Sequence, residues 1–141
     1  MNEQQNTQTV QEGYALFGKG DIPNLLNLYT DDVEFIIPGS AETVPFAGVY
    51  RGKEQVAAFF AKLHDAMDYE RFEPQNYIAQ GDRLVVLGFS KGKVRATGRT
   101  NEEEWAHSFI MQDGKVARFQ AYLDTEASMK AFRSNRDMAE F

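Results

Sequence analysis

His107 is the side chain of this sequence best placed to do chemistry near neutral pH. It stands in Trp105-Ala106-His107-Ser108-Phe109, where period two puts Trp105, His107 and Phe109 on one face of a strand and Ala106, Ser108 and Ile110 on the other. An imidazole on such a face can act as general acid or base, or donate a hydrogen bond to a ligand oxygen. The plainer reading is a core histidine satisfied by a carbonyl. His64, the other histidine, falls on the Lys62 and Asp65 side of a helical pattern and reads as exposed.

The other polar groupings have structural readings beside their chemical ones. Asp31 and Asp32 can share a proton or a metal ion, but such a pair more often caps a helix and turns the chain. Asp124 can reach across a pocket mouth or cap a final helix. Glu102, Glu103 and Glu104 read as a solvated turn into a strand, and Arg95, Thr97 and Arg99 as one outward stripe. Glu42 and Thr43 lie in a loop where a lid would sit. Gly18-Lys19-Gly20 lacks the preceding strand and further glycines of a phosphate cradle. The chain has no cysteine, which removes disulfides, thiolate zinc sites and cysteine nucleophiles. No zincin spacing or nucleophile elbow is present, so no metal site is expected.

These residues need elements to hold them. Val10, Tyr14 and Phe17 share one face of a helix over about 4–17, and Asp21 with Pro23 opens a second short helix. Val33, Phe35 and Ile37 alternate as a strand ended by Pro38-Gly39, with a loop from there to Gly48. Val56, Phe59, Phe60, Leu63 and Met67 recur at helical spacing after Gly52. From Tyr69 onward the period becomes two, with turns at Gln80-Gly81-Asp82, Lys91-Gly92-Lys93 and Gln112-Asp113-Gly114. Four strands follow, near 70–79, 83–90, 93–111 with a bend or break around Gly98 to Asn101, and 115–123, then a short helix with Met129 and Phe132. Residues 1–5 and 133–141 read as frayed tails. Helices followed by a long antiparallel meander imply α+β, a bent sheet over three helices with an apolar pocket between.

A chain of 141 residues is one domain, residues 1–141, able to bury a core without cross-links. Its net charge of -6 sets it against phosphate backbones and anionic lipid, so neither nucleic acid nor membrane is an expected partner. The start is polar, without a basic region and apolar run, and a cytoplasmic location is the default expectation.

The ordered motifs Gly20-Asp21, Leu28-Tyr29-Thr30-Asp31-Asp32-Val33, Pro38, Tyr50-Arg51-Gly52-Lys53, Trp105 to Phe109, Asp113-Gly114-Lys115-Val116 and Tyr122-Leu123-Asp124 resemble the nuclear transport factor 2-like fold, with its SnoaL-like and ketosteroid isomerase-like members. The resemblance covers Val10 to Phe132 and implies a cone-shaped sheet around the helices. It spans isomerases, cyclases, hydrolases, dehydratases and modules with no reaction, so it carries fold further than activity. Ketosteroid isomerase uses an aspartate base, a tyrosine donor and a protonated aspartic acid donor. By resemblance the base's place falls on Ile37, the tyrosine's on Gly13 with Tyr14 rotated away, and the second donor's on His107. Isoleucine abstracts no proton, which argues against steroid-type isomerisation.

The resemblance also turns Trp105, His107 and Phe109 toward the pocket. The remaining apolar lining is then Phe17, Phe35, Ile37, Phe59, Leu63, Leu87, Phe89, Phe119 and Leu123. One reading is a pocket for a small apolar or aromatic metabolite, transformed without a cofactor by proton transfer, dehydration or cyclisation, with His107 as its polar contact. The other is a non-catalytic association module. A homodimer through the outer sheet face, carrying Arg118, Gln120 and Tyr122, suits both. A cavity above about 300 Å³ would favour the first and a packed interior the second.

Overall fold

The structure, a computed structural model, describes residues 2–133. Helix α1 (Glu3–Lys19) is opened by a capping box between Asn2 and Gln5, so residues 2–5 are ordered into a helix start rather than frayed. Gly20, at φ 72°, ends α1 in the left-handed conformation that an L side chain resists. Asp21 caps α2 (Ile22–Leu26) by accepting from the Asn24 amide. Strand β1 (Tyr29–Ile37) begins earlier than expected. Thr30, Asp31 and Asp32 are part of it and do not form a turn or cap, and both carboxylates face solvent.

The expected loop to Gly48 gives way to β2 (Gly48–Arg51), which pairs antiparallel with β1. Helix α3 (Gly52–Ala66) buries Val56, Phe59, Phe60 and Leu63 against the sheet. Strands β3 (Met67–Gln80), β4 (Arg83–Val94), β5 (Thr100–Gln112) and β6 (Lys115–Tyr122) form the meander, and α4 (Thr125–Phe132) closes it. The six strands lie in the order β2-β1-β6-β5-β4-β3, with β1 and β6 parallel and every other neighbour antiparallel. Register shifts along β3, β5 and β1 mark where this mixed sheet bends around α1 and α3. Pro74 is harmless because β3 is an edge strand.

Two expectations about β4 are corrected. Lys91-Gly92-Lys93 is not a turn but strand, and the connection to β5 runs through residues 95–99, with Gly98 at φ 74°. Gly92 faces inward, where a Cβ would come within 2.8 Å of Met67 and Tyr69. Leu87 and Phe89 point away from the helices: Leu87 is exposed and Phe89 stacks under the Arg71 guanidinium at 4.7 Å. The inward positions of β4 are Leu84, Val86, Gly88, Ser90 and Gly92, small toward one end because large rings from β3 and β5 fill the space over them.

Helix α4 is tied down at both ends. Asp124 accepts from the Ala127 amide at its start, and Thr97 donates to the Ala131 carbonyl near its end. Asp124→Ala should therefore cost about 1 kcal/mol, lowering Tm by a few degrees in thermal unfolding. No helix among the described residues is long and apolar enough to cross a membrane.

Candidate functional site

Inward side chains of β5 run Glu103, Trp105, His107, Phe109 and Met111, as the alternating burial along the strand shows. Trp105 and His107 stack with ring centres 3.9 Å apart and 15° between planes, and Phe119 of β6 meets the imidazole edge-on at 4.7 Å. From α1, Tyr14 places its Oη 2.7 Å from His107 Nδ1. The resemblance puts the tyrosine's place at Gly13, but Tyr14 is the residue whose hydroxyl reaches the pocket face. Tyr14 lies in line with Val10 and Phe17 on the buried side of α1, and its long side chain carries the hydroxyl across to the sheet.

Burial decides the charge state of this pair. Loss of hydration lowers the His107 pKa from 6.5 to about 3, leaving the imidazole neutral at pH 7. Burial also pushes the Tyr14 phenol up, with Tyr77 and Tyr29 adding to it. A neutral imidazole and a protonated phenol bring two polar hydrogens, of which their mutual bond uses one. The pair thus keeps one donor for a third group, whichever tautomer His107 adopts. Its chemistry is neutral hydrogen-bond donation, not the proton exchange near neutrality that an exposed histidine would perform. Trp105 has a second donor: its Nε1–H is buried without a partner among the described residues.

These groups border an internal chamber of about 120 Å³. Phe17, Phe35, Ile37, Phe59, Leu63, Trp105, Phe109, Phe119 and Leu123 of the expected lining border it, and Leu87 and Phe89 do not. Ile37, at the place the resemblance gives to a base, is a plain apolar wall. The volume is well below 300 Å³ because Tyr14 and Phe72, neither among the expected lining, occupy much of the cone: Phe72 packs on Trp105 at 5.1 Å and on Phe17 at 5.1 Å. Beyond Phe17, Phe60, Tyr69 and Phe72 lies an outer groove of about 900 Å³ between α1, α3 and β3, with exposed Lys19, His64, Asp68 and Arg95 along it.

Glu103 was read from the sequence as part of a solvated run. Glu102 and Glu104 are indeed exposed, but Glu103 borders the chamber. Period two counted back from Trp105 would have found it. Ser90 of β4 stands opposite in register, is buried and borders the chamber too. Ser128 of α4 lies 3.4 Å from Glu103 Oε2. Asp31 stands beside Lys53 at 3.6 Å, far from a second ligand, and no three acidic or histidine side chains among the described residues come together to hold a metal ion.

Comparison with known proteins agrees with this architecture. A model of the SnoaL-like domain matches residues 10–119. An NTF2-like protein from Burkholderia xenovorans LB400 superposes with a TM-score of 0.87 at 36% identity, covering 94% of this chain and 99% of that one. TerC, co-crystallised with polyporic acid, gives 0.80 at 30% identity over 92% and 99%. An uncharacterised protein of Mycobacterium tuberculosis is 21% identical over 94% of this chain and 98% of its own length. The domain match over most of the chain, with a structural neighbour at 36% identity, places this chain in the SnoaL-like family.

Proposed function

We propose that the protein binds a compact ring compound bearing a hydroxyl or carbonyl oxygen, and transforms it without a cofactor. The observation that carries this reading is the donor set in an otherwise apolar chamber: Tyr14 and His107 bonded at 2.7 Å, with Trp105 Nε1–H unpartnered beside them. Of the three buried side-chain polar atoms without a partner among the described residues, Asn6 Oδ1, Thr30 Oγ1 and Trp105 Nε1, the indole is the one on a residue that borders the chamber. Size sets the ligand class, since an apolar cavity of about 150 Å³ accepts benzene. A chamber of about 120 Å³, below that volume and well below 300 Å³, limits the occupant to a single ring.

Hydrogen bonds aimed at an oxygen stabilise charge that grows on it during enolisation, dehydration or ring closure, and with Ile37 apolar and His107 neutral a bound water carries the proton. The polyporic acid bound to TerC, a relative at 30% identity, supports small-molecule handling on this scaffold. A second reading, association through the outer sheet face, is supported by exposed Val49, Ile78, Leu87 and Tyr122. A homodimer formed there would leave the chamber intact.

Phenol and toluene separate the polar contact from mere fit. Phenol should bind about tenfold more tightly, the equivalent of one good hydrogen bond, as followed by fluorescence of the single tryptophan. His107→Ala should abolish that preference while toluene still binds. Equal binding of the two by the native protein, or binding of neither, would remove the reading.

A further inference from the structure

Resting on the chamber as a ring-binding site, we propose that Glu103 forms a second polar pole, which takes an oxygen at the end of the ligand opposite His107. Glu103 and His107 are four residues apart on the inward face of β5, so their Cα atoms stand about 13 Å from each other. Between them Trp105 lies stacked on the imidazole, and Glu103 borders the chamber beyond it. A six-membered ring with an oxygen at each end, and a hydrogen bond of about 2.8 Å from each oxygen, has a length of that order. The class of ligand is therefore a single ring oxygenated at opposite positions, and Glu103 is the residue that selects it.

The surroundings of Glu103 suit this task. Ser90 faces it from β4, Tyr69 from β3 and Ser128 from α4, while Asn101 lies on its own strand. The charged neighbour is Asp124 at the α4 cap. Burial holds the carboxyl above the usual carboxylate range, Asp124 adds to this, and hydrogen bonds from Asn101 and Ser128 work against it. In its acid form the side chain donates a hydrogen bond to a carbonyl oxygen, and as a carboxylate it accepts one from a hydroxyl. One residue thus serves both the oxidised-looking and the hydroxylated form of such a ring without any electron transfer.

The test compares phenol, 1,3-dihydroxybenzene and 1,4-dihydroxybenzene, with the one indole N–H resonance of the protein as reporter. The 1,4-isomer should bind about tenfold more tightly than phenol, and the 1,3-isomer should gain less, with a shift of the indole resonance marking occupancy. Glu103→Ala should bring the 1,4-isomer down to the affinity that phenol shows for the same variant. Glu103→Gln, which keeps the shape without the acid, should retain part of the advantage and lose its dependence on pH. An advantage that survives in Glu103→Ala, or no advantage in the native protein while phenol binds, would overturn the second pole alone. Failure of phenol itself to bind would overturn the chamber reading and this inference with it.

Discussion

Acid should destabilise the native protein far more steeply than a His107→Asn variant. The unfolded chain binds a proton at His107 near pH 6.5, while the folded chain, with its pKa at about 3, refuses it. Between those values the unfolded state holds more protons, so stability rises with pH across the window. The contribution is complete above about pH 6.5 and is lost progressively as pH falls toward 3. At the lower end it amounts to at most about 5 kcal/mol, a large share of the stability of a domain this size. Asparagine keeps an acceptor near the Nδ1 position for the Tyr14 hydroxyl and does not titrate. Urea unfolding at a series of pH values should show the variant with a clearly flatter slope below neutrality. A parallel slope would mean that His107 is hydrated in the folded state. Glu103 has the opposite sign: its raised pKa means stability lost as pH rises above 4.5, so the two residues favour different ends of the scale.

What the sequence revealed and what it hid divide along physical lines. The inward face of β5 was legible because Trp105, His107 and Phe109 alternate with smaller residues, and the hydrophobic period matches the pleat. On β4 the same rule pointed the wrong way. Leu87 and Phe89 are the bulky members of their stretch, yet the inward partners are Gly88, Ser90 and Gly92, kept small so that rings from neighbouring strands can lie over them. Alternation reports burial only when each strand fills its own share of the core, and here one strand yields its share to two others.

Tyr14 and Glu103 were hidden for other reasons. Helical spacing puts Tyr14 on the buried face with Val10 and Phe17 but does not say how far its phenol extends, and that reach is what brings the hydroxyl to His107. Glu103 was masked by its neighbours, since three acidic residues in a row read as solvent when only the outer two face it. β2 escaped because four residues starting at a glycine give no period to count. The family resemblance set the chain's topology correctly and put Ile37 where a base would stand, but it could not show that the donors survive without that base. A site with paired donors from α1 and β5 and an acid four residues along the same strand is a different arrangement from one built around a carboxylate on β1.

Gly88 is the position where this arrangement is most exposed to a single change. It pairs in register with Trp105, whose six-membered ring lies directly over it, so a Cβ there would fall on the indole and also come within 2.7 Å of the Glu73 carbonyl. The indole cannot simply swing aside, because it is stacked on His107 and packed against Phe72. The carbonyl belongs to the backbone of β3 and cannot rotate away without breaking the ladder. Gly88→Ala should therefore cost about 3 kcal/mol, the upper end for overpacking, and lower Tm by roughly 10 °C. Trp105→Phe, made in the same background, removes the larger part of the clash and should recover a measurable part of the loss. A double-mutant cycle on thermal or urea unfolding is expected to give a coupling of about 1 kcal/mol or more between the two positions. Additive effects would mean that the β3 carbonyl, not the indole, sets the limit at Gly88. Recovery by the smaller ring would show that the absent side chain on β4 is what lets Trp105 lie flat beside His107, and so what shapes the floor of the chamber.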